Sequence, residues 1–328
     1  MGSIDKAASG SAAVDAHPIK ARDECFTYEG QRLHSLVWDT ADASGNRSPI
    51  VLLHGFMQSA RGWTNIAQAL AETHTVYALD LMGHGESAKP SDPERYTYAD
   101  VAASVDAFLR TVVCASTRPA SVQSAAADCA SFRPTSARSL FAQRAHVVGY
   151  SMGARVALRL ASTSKDVVAS LVLESCNLGC ADEAARALAQ ERNEGWVSRL
   201  RTEGMEDFVR YWESLPLFET QREQGFDAAL RPGRLDNDPA ALALCLQGSG
   251  KQAMSLVEET LSCLKESALP VTYIWGGLDK GCALIAQQLS EVGATTKMFN
   301  TGHNVHLEAP MLYLEEVRKF LISIDMDG

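Results

Sequence analysis

Hydrophobic and polar positions along the chain follow two periods in turn. Short unbroken apolar runs recur at 49–53, 75–79, 146–150, 167–173 and 269–275, as strands buried on both faces require. Between them apolar residues return every three or four positions over 65–72, 98–113, 283–292 and 311–324, which predicts amphipathic helices. Another helical pattern follows Met152. Two early strands at 26–28 and 33–38 flank the turn residues Glu29-Gly30, and a last strand covers 295–299. Strands alternating with helices imply an α/β fold: a mostly parallel central sheet, helices on both faces, and reactive loops at the strands' carboxyl ends.

Three stretches break the rhythm. Residues 1–22 are rich in Ala, Ser and Gly without periodicity and read as a mobile tail. Residues 115–139 are dominated by Ala and Ser with two prolines, far longer than the usual connection, and read as an insertion with one short helix at 121–129. Residues 181–265 are helical with no buried strand pattern and carry many Arg and aromatic residues. They form an inserted cap over a core of 23–180 and 266–328.

The composition narrows the function classes. At 328 residues and 46% hydrophobic content the chain can bury one large core. A formal charge of -10 without a Lys/Arg run argues against nucleic acid. No apolar run approaches the roughly 20 residues of a membrane span, and the N-terminus lacks the apolar core of a secretion signal. A cytoplasmic protein with reduced thiols is the expectation. The eight cysteines form no C-x-x-C pair. Cys176 and Cys180 have no partner set at metal-ligand spacing, so neither metal nor cofactor is expected.

Candidate chemistry collects at the strand ends. Gly149-Tyr150-Ser151-Met152-Gly153 sits between a strand and a helix, the context of a nucleophile elbow, where the two glycines remove bulk from a tight turn. Asp279 follows Gly276-Gly277-Leu278 after a late strand, and His303 follows the last one. The order Ser…Asp…His fits a triad in which His303 takes the proton of Ser151 and Asp279 fixes the tautomer of His303. Glu174, at an earlier strand end, is the second choice of acid. The run 49–53 stops at His54-Gly55-Phe56, so the backbone N–H groups of Phe56 and Met152 are candidate oxyanion donors. His54 itself, and His84 within Asp80-Leu81-Met82-Gly83-His84-Gly85-Glu86-Ser87, read as structural.

With these residues in place, the chain resembles the α/β-hydrolase fold over most of 24–325. More narrowly, it resembles the menaquinone-pathway synthases that make 2-succinyl-6-hydroxy-2,4-cyclohexadiene-1-carboxylate. The resemblance is carried by Gly149 to Arg155, by Tyr211 to Phe218, by Arg234 with Asn237-Asp238-Pro239, and by Gly302-His303-Asn304-Val305-His306. It implies an elimination of pyruvate from an enolpyruvyl cyclohexene carboxylate, with Ser151 acting as a base. It also implies substrate carboxylates held by Arg155, Arg234 and Trp212, with Tyr150 beside them; a planar guanidinium suits a carboxylate. The chain departs from the family at Ala154, where a second glycine is usual, and at Ala189, where a third substrate-binding Arg is expected. Arg186 and Arg192 flank that position within one helical turn and are its candidate replacements. The insertion at 115–139 is not a family feature. Two other readings stand beside the synthase: a serine carboxylester or carbon–carbon-bond hydrolase of a small anionic substrate, and a non-enzymatic relative that binds a small acid.

Overall fold

The computed structural model describes residues 19–40, 47–113 and 144–327. The insertion at 115–139, with its expected helix, and residues 1–18 of the expected tail lie outside that set. The rest of the tail range is built into the fold. Arg22 opens the first strand, and the Ile19 carbonyl accepts a hydrogen bond from Gln68 Nε2 at 3.4 Å.

Among the described residues eight strands form one sheet in the order β1 (Arg22–Tyr28), β2 (Gln31–Trp38), β4 (Val76–Leu79), β3 (Ile50–Leu53), β5 (Ala145–Tyr150), β6 (Val168–Glu174), β7 (Val271–Gly276), β8 (Thr295–Phe299). The β1–β2 and β2–β4 pairs are antiparallel and the others parallel. The pleat divides each central strand between two cores. Val51 and Leu53 face a cluster with helices α2 (Tyr98–Phe108), α3 (Met152–Thr163), α9 (Val257–Ser267) and α10 (Cys282–Glu291). Ile50 and Leu52 face the opposite cluster, with α1 (Thr64–Leu70) and α12 (Pro310–Asp327). That double burial is why these strands read as unbroken apolar runs.

Five helices separate β6 from α9: α4 (Glu183–Thr202), α5 (Met205–Glu213), α6 (Glu219–Glu223), α7 (Asp227–Leu235) and α8 (Pro239–Ser249). The longest two begin at Asp caps. The side chain of Asp182 accepts from Ala185 N at 2.7 Å and that of Asp238 from Ala240 N at 2.8 Å, each cap stabilising by about 1 kcal/mol. Val197, Leu200, Phe208, Leu242 and Leu246 give these helices a small core of their own, which meets the main body at Met57. The separate segment ends before residue 265. Leu264 of α9 is buried in the sheet's own core, with Val257 and Leu261 packed against it, so α9 is a layer helix and not part of the cap. Among the described residues no helix is long and apolar enough to cross a membrane.

The loop after β4 is tied down by Asp80. Its Oδ2 accepts from the His34 ring at 2.8 Å and from Glu86 N at 2.9 Å, and its Oδ1 from Ala60 N at 2.6 Å. Burial pushes the Asp80 pKa up, but the hydrogen bond from His34 and the backbone N–H groups outweigh it, and the carboxyl lies below its ordinary value of 3.8. A depressed folded pKa contributes stability that is complete above the unfolded value and lost as pH falls through the folded one. The unfolding midpoint of the wild type is therefore expected to fall more steeply than that of Asp80→Asn between about pH 5 and about pH 3. Parallel curves from thermal melts across that range would refute this.

Candidate active site

Ser151 sits between β5 and α3 at φ +50°, ψ −104°. Such angles cost a non-glycine residue about 1–3 kcal/mol and persist only where neighbours enforce them. The enforcement is local. Ser151 N donates to the Glu174 carbonyl at 2.9 Å, and the glycines on either side sit against backbone. A Cβ on Gly149 would meet the backbone of Ala154 at 2.5 Å, and one on Gly153 would meet the Leu53 carbonyl oxygen at 2.2 Å. The contact at Gly153 presses the start of α3 against the end of β3. The same Cβ would lie 2.8 Å from the His54 carbonyl oxygen, so the residue after Met152 packs on the start of the His54-Gly55-Phe56 loop.

His303 completes the centre. Its Nε2 lies 3.1 Å from Ser151 Oγ and its Nδ1 2.7 Å from Asp279 Oδ2. Asp279 also accepts from Cys282 Sγ at 3.2 Å and from Gly281 N at 3.3 Å. Burial pushes Asp279 up, but the hydrogen bond and charge of His303 prevail, and the carboxyl is held below its ordinary value. Glu174 lies elsewhere. Fully buried, it accepts from the His306 ring at 2.7 Å and from His306 N at 3.0 Å, while His306 stacks on Trp63 with ring centroids 4.2 Å apart. The second His of the Gly-His-Asn-Val-His run is thus a brace behind the first.

The loop that carries His303 is held by Glu308. Glu308 Oε2 accepts from Gly302 N at 2.9 Å, and Oε1 accepts from Thr220 Oγ1 of α6 at 3.0 Å. Gln224 Nε2 also donates to Glu308 Oε2, at 3.1 Å. The two loop histidines upstream are structural. Leu81 N donates to His54 Nε2 at 3.0 Å, so His54 Nδ1–H donates to the Gly55 carbonyl at 2.8 Å. Burial lowers the pKa of His54 and pushes that of His84 down to about 3, so both are neutral.

A cavity of about 380 Å³ opens above Ser151 and His303, between the sheet and the inserted helices. Phe56, Tyr150, Trp196, Trp212 and Phe218 supply its aromatic walls. Trp212 lies 5.1 Å from Phe56 and 5.2 Å from Trp196, centroid to centroid. Tyr150 packs 5.4 Å from His303, and burial raises its phenol well above the ordinary value.

Four cations line the cavity: Arg155, Arg192, Arg234 and Lys251. Asp279 is the one carboxylate among the described lining residues. Arg155, one turn along α3 from Ser151, donates from Nη1 to the Ser249 carbonyl at 2.9 Å and makes no ion pair with a described residue. Burial lowers its pKa. Arg234 is 5% exposed and donates from Nη1 to Glu213 at 2.9 Å and Asp227 at 3.2 Å. Arg192 lies 5.1 Å over the Trp196 ring.

The expectation for Arg186 needs correction. It does not line the cavity, because Nη1 donates to the Gln252 carbonyl at 3.1 Å and Nε pairs with Glu183 at 3.2 Å. Of the two neighbours of Ala189, only Arg192 reaches the site. Lys251 went unread in the sequence; it follows Gly248-Ser249-Gly250 with no motif around it, and only the chain's return past α4 brings it to the cavity.

The model of the alpha/beta hydrolase family matches residues 50–316. A Bacillus subtilis (strain 168) protein that carries the provisional name 2-succinyl-6-hydroxy-2,4-cyclohexadiene-1-carboxylate synthase is 30% identical over 290 residues, covering 87% of this chain and 94% of that protein. The 2-succinyl-6-hydroxy-2,4-cyclohexadiene-1-carboxylate synthase of Klebsiella pneumoniae is 26% identical over 278 residues, 84% of this chain and 94% of its own. Among solved structures, MenH from S. aureus superposes with a TM-score of 0.74 at 24% identity, covering 88% of this chain and 98% of that one. The enol-lactonase from Burkholderia xenovorans LB400 gives 0.71 at 20% identity, covering 91% and 100%. Both structural likenesses are likenesses of fold.

Proposed function

The chain belongs to the alpha/beta hydrolase family, on the branch of the 2-succinyl-6-hydroxy-2,4-cyclohexadiene-1-carboxylate synthases, and from that premise we propose how its site carries out the reaction. The enzyme is a lyase of menaquinone biosynthesis that eliminates pyruvate from an enolpyruvyl cyclohexene carboxylate. Ser151, giving its own proton to His303 Nε2, takes a proton from the ring. The electrons of that C–H bond pass toward the adjacent carbonyl, whose developing oxyanion accepts from the N–H groups of Phe56 and Met152. As they return, the bond from the ring to the enolpyruvyl oxygen breaks, the second ring double bond forms, and the departing enolate takes the proton held on His303 Nε2 to become pyruvate, which restores the site. Asp279 keeps Nδ1 of His303 protonated throughout.

The observation that carries this reading is Arg155. A half-buried guanidinium in the cavity of the reacting serine, without a carboxylate partner among the described residues, is costly to desolvate. An anionic substrate would relieve that cost, and a neutral ester would not. Arg192 and Lys251, which pair with no described carboxylate, and Arg234, which already bonds to Glu213 and Asp227, widen the cationic wall for a substrate with several carboxylates, with Arg192 in the role vacant at Ala189.

Arg155→Ala is therefore expected to lower kcat/KM for pyruvate release by about 10²-fold, the usual cost of removing one partner of a desolvated charge pair. Hydrolysis of p-nitrophenyl acetate, which has no carboxylate to hold, should change by less than about threefold. Equal losses on both would point to a damaged elbow. Rapid ester turnover with no pyruvate from the enolpyruvyl precursor would make the protein a hydrolase.

A further inference from the structure

At the opposite end of β5 from Ser151, roughly 16 Å away along the strand, a second cluster of titratable groups is buried. His146 is the second residue of that strand, His74 precedes β4, and Asp325 lies in the last turn of α12. His74 is 1% and His146 0% exposed. Their Nε2 atoms approach the two oxygens of one carboxylate, His74 to Asp325 Oδ2 at 3.1 Å and His146 to Asp325 Oδ1 at 3.1 Å. The outer nitrogens are held as well. His74 Nδ1 lies 2.8 Å from Thr73 Oγ1, and His146 Nδ1 lies 2.8 Å from Ser170 Oγ. The elimination uses none of these groups.

We propose that His74, His146 and Asp325 form a binding site for one divalent transition-metal ion, zinc by preference, which fastens the end of α12 to the sheet. The geometry supports it first. The three donor atoms lie within 4.8 Å of one another. Two ligands about 2.0–2.1 Å from a tetrahedral zinc are about 3.3 Å apart, close to the 3.1 Å between each imidazole and its carboxylate oxygen. The donor set of two imidazoles and a carboxylate suits zinc, with water in the fourth position.

The outer shell fits both states of the rings. With zinc on Nε2, each Nδ1–H donates to a hydroxyl oxygen; without it, the same hydroxyls donate to Nδ1 and each Nε2–H donates to Asp325. A hydrogen-bond acceptor on the outer nitrogen is what orients a metal-bound histidine, and a hydroxyl oxygen can serve as one.

The test uses tag-free, full-length protein stripped with EDTA and titrated with Zn²⁺ alone. One equivalent should bind, and a hundredfold excess over Kd should raise the melting midpoint by roughly 3–5 °C. Co²⁺ in its place should give the visible absorption of a four-coordinate site. Asp325→Asn should lose the stoichiometric binding and the cobalt spectrum while keeping pyruvate release. His146→Gln, checked for folding by circular dichroism, provides the same comparison if Asp325→Asn is poorly folded. No stoichiometric binding by the wild type would overturn the proposal. So would unchanged binding in both variants, which would send the metal to another group such as Asp23, His34 and Glu86.

Discussion

Ser151→Ala should lower kcat for pyruvate release by about 10³–10⁴-fold, the contribution of a positioned proton acceptor, and leave KM within about threefold. The split follows from the geometry. Ser151 meets His303 at 3.1 Å, whereas the cations that would hold the substrate are anchored separately, Arg155 on Ser249 and Arg234 on Glu213 and Asp227. Alanine keeps the same Cβ at the same positive φ, so the elbow itself should survive. Steady-state kinetics with a coupled pyruvate assay decide the matter. A variant that kept more than about a tenth of kcat would leave Ser151 without a role as base. Intact-mass measurement of the wild type during turnover separates base from nucleophile: elimination leaves no acyl group on Ser151, and an adduct there would mean covalent catalysis.

Asp279→Asn should cost about 10⁴-fold in kcat, the penalty for the wrong imidazole tautomer. An asparagine amide at this position can donate to Nδ1 of His303, which then carries its proton on Nε2 and cannot accept from Ser151. Glu174→Gln is the control. Glu174 bonds to His306, not His303, so its loss should weaken the fold by about 1.5–3 kcal/mol and leave kcat nearly intact. The reverse ranking of the two variants would make Glu174 the acid. Because Asp279 is held below its ordinary pKa, the wild type should keep this carboxylate ionised through the neutral range.

The parts of the site that lie at strand ends were legible in the sequence because each is written locally. Gly149 and Gly153 announce a turn with no room for side chains, and the structure supplies the atoms that would collide. The order Ser151, Asp279, His303 follows from strands that alternate with helices. Other features had no local signature. Arg186 and Arg192 fall within one turn of Ala189 on either side, and what separates them is the carbonyl of Gln252, some sixty positions away. Lys251 and Glu308 act only through the folded path of the chain. His74, His146 and Asp325 are scattered over 251 positions between first and last, and no spacing rule could have joined them. The end of the inserted segment was hidden because the helical period of α9 is the same whether it packs on the sheet or above it.

Glu308 has a mechanical consequence. One carboxylate grips Thr220 of α6, Gln224 just past its end and, at the same time, the backbone of Gly302 beside His303. A Cβ on Gly302 would sit 1.9 Å from Thr220 Oγ1, so the two elements touch with no slack. Any outward swing of α6 that admits substrate must either break these bonds or drag Gly302 along. The strut thus ties the position of α6 to the loop that holds His303.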